Sequence, residues 1–158
     1  MFDFRKLTAF FRREPTPFDQ ALRAIALGRY DEAIERIDAL LPAATPAGRA
    51  ALLNKRGVAL VNLERRDEAR AAFSRALSVL PKFAPALVNE GNLALEDGNV
   101  AEAVRLYESA IRSDDSYAIA HLNLGVAYKR LGRRAEAVRE FRRAHRLESA
   151  SIFRKRRS

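Results

Sequence analysis

The sequence predicts an all-α solenoid of antiparallel helix pairs. Three observations predict it: a 34-residue internal period, apolar residues at three- and four-residue spacing within each period, and Gly or Ala recurring at fixed places in it. Aligning Gly57, Gly91 and Gly125 gives two steps of 34 residues, and the same register aligns Ala69, Ala103 and Ala137. It also aligns Phe73, Tyr107 and Phe141, then Ala76, Ala110 and Ala144. A fixed period settles the architecture before any helix is assigned, because one repeat cannot bury its apolar face alone and must stack on its neighbours.

Each unit reads as two amphipathic helices interrupted by a turn. Small residues at positions 8, 20 and 27 let helices approach closely, and the aromatic at position 24 fills the space beside them. In chain order the spacing predicts helices over 17–27, 30–41, 47–63, 66–80, 84–97, 100–113, 118–131 and 134–148. The first pair is abbreviated: Pro15 and Pro17 shorten its first helix, while Leu27, Gly28, Arg29 and Tyr30 mark its turn and Pro42 its end. Ala33 lies 36 rather than 34 residues before Ala69, and the extra length falls in the Pro- and Thr-containing stretch 43–48. The organisation is a basic amphipathic segment 1–13, repeats at about 14–47, 50–83, 84–117 and 118–151, and a basic tail 152–158.

These residues resemble the tetratricopeptide repeat family, whose 34-residue pattern has a large residue at 4, Leu at 7, Gly at 8, aromatics at 11 and 24, Ala at 20 and 27, and Pro at 32. Residues 118–151 match best, with Leu124, Gly125, Tyr128, Ala137, Phe141 and Ala144; His121 stands at the large position and Ser149 at the proline. Residues 50–83 keep Pro81 but carry Arg56 for Leu, and residues 84–117 carry Glu90 for Leu and Asp115 for Pro. The resemblance implies a right-handed superhelix with the first helices lining a concave surface.

It also implies that positions 2, 5, 6, 9, 12 and 13 of each first helix face that groove. Here they are rich in amides: Asn54 at position 5, Lys55, Asn89 and Asn123 at 6, Asn92 at 9, and Asn62, Glu96 and Arg130 at 13. Asparagine is a mediocre helix former, so its repetition on one face has a cost in helix stability. An amide both donates and accepts, and so suits the backbone of an extended peptide; the plainer reading is that it solvates the groove. Some family members hold a C-terminal carboxylate through Lys and Asn in the first helix pair, Asn in the second, and Lys and Arg in the third. Only Asn89 fits that set, since the cation positions hold residues such as Val58, Ile119 and Asn123.

The formal charge of +9 is uneven: residues 129–158 carry 12 Lys and Arg against 3 Glu, and the rest of the chain balances. Arg142, Arg143, Arg146, Arg154, Lys155, Arg156 and Arg157 form the densest part. Two readings stand, a solubilising end or a surface for an acidic partner, with nucleic acid bound without sequence preference or anionic lipid as candidates. In the last repeat Glu140 and His145 replace apolar residues, which is expected to solvate the end of the array and keep the chain monomeric. At the other end Phe4, Leu7, Phe10 and Phe11 share one arc of a helical wheel, opposite Arg5, Lys6, Arg12 and Arg13. That segment either caps the weak first repeat or lies on a membrane or a partner.

Absent cysteine excludes disulfides and thiolate metal sites. The longest early apolar run, residues 7–11, is too short for a signal peptide or a membrane span, so the chain is expected to be cytoplasmic. Its 24 Arg against 5 Lys points to a GC-rich, bacterial genome. No phosphate-cradling loop, nucleophile elbow or metal-ligand spacing occurs, and His121 and His145 are placed for packing and solvation. The expectation is a non-enzymatic adaptor, without cofactor or metal, that binds an extended segment of a partner protein in the groove.

Overall fold

The computed structural model describes residues 14–155, with side chains to residue 152. The expected basic segment 1–13 and the last arginines, Arg156 and Arg157, lie outside the described residues. Those described form eight α-helices: α1 (Pro17–Ala26), α2 (Tyr30–Leu40), α3 (Pro46–Asn62), α4 (Arg66–Val79), α5 (Ala84–Glu96), α6 (Val100–Ser113), α7 (Ala118–Arg130) and α8 (Arg134–Lys155). One 3-10 turn, Leu41–Ala43, follows α2. Each helix packs on the next, and the first helices α3, α5 and α7 also touch one another in succession.

Helix starts and stops follow from local chemistry. Thr16 and Asp19 form a capping box ahead of α1, and the Thr45 hydroxyl accepts from the Gly48 N–H ahead of α3. Prolines stand in the first turns of α1, α3 and α5, where a missing N–H costs nothing. The longer link between the first two repeats is absorbed by the 3-10 turn, with Arg49 donating to the Leu41 and Ala44 carbonyls. The turn inside each repeat needs one residue in the left-handed region, supplied by Gly28, Gly98 and Gly132 at φ of 71°, 81° and 74°. In the second repeat that place is taken by Glu64, at φ 60°.

The core is built by repetition. Phe73 and Tyr107 are fully buried and lie directly over Gly57 and Gly91; Phe141 lies over Gly125 in the same way. A Cβ on these glycines would fall 2.3, 2.5 and 2.5 Å from ring carbons, so the aromatic of the second helix fits only against a bare backbone. Ala69, Ala103, Ala76 and Ala110 are fully buried between helices, as their small size predicts.

The polar departures from the repeat pattern turn into contacts between repeats. Arg56 at the Leu position pairs with Asp38 of the preceding second helix at 2.9 Å, and Glu90 accepts from the Ser74 hydroxyl at 2.6 Å. Buried His121 places Nδ1 2.7 Å from Glu140 Oε2 and Nε2 3.1 Å from the Asp115 carbonyl oxygen. Asp114 accepts from the Ser116 N–H and hydroxyl, a local turn that ends α6 where proline is missing.

Two expectations need correction. The last helix does not stop at 148: with Ser149 in the proline position nothing blocks it, and α8 runs to Lys155, into what composition marks as the tail. Glu140 does not solvate the end of the array, because it is half-buried and occupied with His121. The outward face of α8 instead keeps Val138 46 % exposed, beside the half-buried Phe141 ring.

Candidate functional site

The site that the fold positions is the surface shared by α3, α5 and α7. Asn54 is buried at 6 % exposure, and its side-chain oxygen accepts from Asn89 Nδ2 at 2.8 Å. One repeat on, Asn92 Oδ1 accepts from Asn123 Nδ2 at 2.8 Å and from the Tyr107 hydroxyl at 2.8 Å. α5 and α7 therefore each hand an amide donor back to an amide acceptor on the first helix of the preceding repeat. Sequence columns alone align Asn89 with Asn123 and Lys55, whereas the contacts join position 6 of one repeat to position 5 or 9 of the preceding one. Lys55 takes no part in either pair and stays exposed.

The pairing fixes the amides without exhausting them. An asparagine offers two donors and an oxygen with two lone pairs. After the contacts above, Asn89 and Asn123 each keep their oxygen, and Asn92 keeps both N–H groups. Asn62, Asn89, Asn92 and Glu96 line a recess of about 120 Å³ together with Val58, Val61, Phe73 and Leu93. It thus combines a polar rim with an apolar floor the size of one aliphatic side chain.

Two of the three charged members of the predicted site, Glu96 and Arg130, are engaged within the fold, and Lys55 stays exposed. Glu96 accepts from Arg66, and Arg66 and Arg70 both reach Asp97, whose carboxyl is held below the usual range mainly by the Arg66 hydrogen bond. Arg130 donates to the Leu95 carbonyl at 2.8 Å, clamping α7 on α5. Asn62 donates to its own helix at Val58. Burial pushes the Tyr107 hydroxyl up to about 12, with nearby Glu96 adding to the shift and Arg130 opposing it.

Sequence reasoning did not single out the apolar part of this surface. Val58, Phe73 and Leu93 form the recess floor, and Ile119 and Leu122 stand 47 % and 43 % exposed on α7. The signal was present: Ile119 and Leu122 occupy positions 2 and 5, two of the columns that the family resemblance assigns to the groove. Among the described residues no group of His, Asp or Glu is placed to hold a metal, and no helix is long and apolar enough to cross a membrane.

Stacked helix pairs with a bare-glycine contact in every full repeat define an α-solenoid repeat protein. The chain belongs to the tetratricopeptide repeat family, whose profile matches residues 18–87, 54–115 and 88–151. Similar solved structures include a crystal structure of MamA, at TM-score 0.70 and 23 % identity, covering 94 % of this chain and 85 % of that one. MamA 41-end from Desulfovibrio magneticus RS-1 superposes at TM-score 0.66 and 20 % identity, over 84 % and 74 % of the two chains. The second repeat domain of Spaghetti (RPAP3), bound to the HSP90 peptide SRMEEVD, does so at TM-score 0.60 and 24 % identity, over 64 % and 94 %.

Proposed function

We propose that this protein is an interaction scaffold that binds an extended segment of a partner protein along the concave surface of α3, α5 and α7. The observation that carries the reading is the pair of inter-repeat amide contacts, Asn89 to Asn54 and Asn123 to Asn92. They hold side chains in fixed orientations and leave both donors and acceptors unused. Pre-organised groups lose little freedom on binding, so each new hydrogen bond counts for more. A peptide backbone presents an N–H and a C=O at nearly every residue, which is what such a surface can satisfy without reading sequence. Specificity then comes from the recess beside Phe73 and from exposed Ile119 and Leu122, which favour apolar side chains at intervals along the ligand.

The Spaghetti domain's ligand is the peptide SRMEEVD. This chain lacks the cation set for a terminal carboxylate, so we read its ligand as an internal stretch. Selection of a random linear peptide library on the immobilised full chain tests this. Selected peptides should alternate apolar and small polar residues, with no preference for a free C-terminus. A single Asn89→Ala or Asn123→Ala change should weaken them about two- to tenfold, the value of one hydrogen bond of about 0.5–1.5 kcal/mol. Because the two amides rest on different acceptors, the double variant should approach the product of the single effects. Full-strength binding by the double variant would place the site elsewhere.

A further inference from the structure

The outward face of α8 stands in the register that α4 uses to hold the next repeat. On α4, Arg66 pairs with Glu96 and Asp97, Arg70 with Asp97, and Ser74 with Glu90, all on or beside α5. Two periods later the same places hold Arg134, Val138 and Arg142. Among the described residues nothing covers them. Val138 is 46 % exposed where its counterpart Val104, under α7, is 8 % exposed. An open recess of about 670 Å³ runs along this face, lined by Val138, Arg139, Phe141, Arg142, His145 and Arg146.

Its charge is unbalanced as well as uncovered. Glu136 is taken by Arg133, Glu140 by His121, and Arg143 reaches Asp115. Among the described residues Arg134, Arg142 and Arg146 have no carboxylate partner. We propose that this face binds an acidic amphipathic helix of a partner protein, laid where the first helix of a further repeat would lie. The chain supplies the pattern for such an occupant in α5, which brings an apolar stripe and the carboxylates of Glu90, Glu96 and Asp97 to α4. A second copy of the face, or the segment bearing Arg5, Lys6, Arg12 and Arg13, would bring like charge to like. Phosphate would satisfy the arginines but leave Val138 and Phe141 wet, so an apolar-and-acidic helix fits better than nucleic acid.

The test uses the full chain and a hydrocarbon-stapled fluorescent peptide carrying residues 84–97, followed by anisotropy. Saturable binding is expected. Arg142→Glu with Arg146→Glu should weaken it by about tenfold or more, as should exchanging the peptide's three carboxylates for lysines. Val138→Asp should weaken it too. The Asn89→Ala, Asn123→Ala variant, which disables the concave groove, should bind this peptide as the parent does. Val138, Arg142 and Arg146 are exposed whereas Asn89 and Asn123 are half-buried, and melting curves read by circular dichroism separate loss of binding from loss of the fold. The proposal is overturned if the parent does not bind the peptide, if the charge reversals leave its affinity unchanged, or if a short DNA duplex competes it off more tightly than unlabelled peptide does.

Discussion

Gly91 sits under the Tyr107 ring, with the nearest ring carbon 2.5 Å from where a Cβ would be. Helix propensity alone would favour alanine there by about 1 kcal/mol. The collision outweighs it, because Tyr107 is fully buried and its hydroxyl is tied to Asn92, so the ring has nowhere to go. Gly91→Ala is therefore expected to destabilise by about 1–2 kcal/mol net, within the usual range for overpacking. Gly125 faces a similar distance to Phe141, but that ring borders the open face of α8 and can yield. Gly125→Ala should change stability by less than about 0.5 kcal/mol, and denaturant melts of the two variants check the contrast. Tyr107 gives a second residue-scale expectation. Its raised pKa means the folded state prefers the neutral phenol, so the contribution is intact below the ordinary tyrosine value near 10 and is lost as pH rises through about 12. Absorbance at alkaline pH should show Tyr107 ionising late, and Tyr107→Phe should flatten the loss of stability across that window.

At the scale of the element, the turn inside each repeat is closed by two backbone bonds: in the second repeat Glu64 N–H to the Val61 carbonyl and Arg65 N–H to the Leu60 carbonyl. The geometry demands a left-handed residue, which glycine supplies in three turns and Glu64 in the fourth. A left-handed residue with a Cβ is strained by about 1–2 kcal/mol, and glycine's extra freedom when unfolded returns about 0.5–1 kcal/mol of that. Glu64→Gly should consequently raise stability by about 0.5 kcal/mol, seen as a small upward shift in the denaturant midpoint. Helix bounds were legible wherever a turn residue or proline punctuates the chain, as at Gly28, Pro42, Pro81 and Gly98. The end of α8 was not, because Ser149 neither stops a helix nor extends one. Contacts that cross repeats were hidden for a different reason. Arg56, Glu90 and His121 look like defects in a column, and only the packed array shows the Asp38, Ser74 and Glu140 that answer them.

At the scale of the whole molecule, a solenoid has two surfaces that repetition builds and two ends that it leaves. The asparagines on α3, α5 and α7 were legible as a run, yet the pairing of Asn89 with Asn54 and of Asn123 with Asn92 depends on the offset between repeats, which no column records. The apolar recess beside Phe73 depends on the same offset. The open end was misread from Glu140, whose carboxylate turns inward to His121 and leaves Val138 and Phe141 to define the face. The central claim is that the concave amides grip the ligand. It is tested most directly by following the side-chain amide signals of Asn89, Asn92 and Asn123 in nitrogen-labelled protein as a library-selected peptide is added. All three should move together and saturate with the binding curve, while the Gln20 amide on α1, away from the groove, stays in place. Saturable binding that leaves the three asparagine signals where they were would contradict the account.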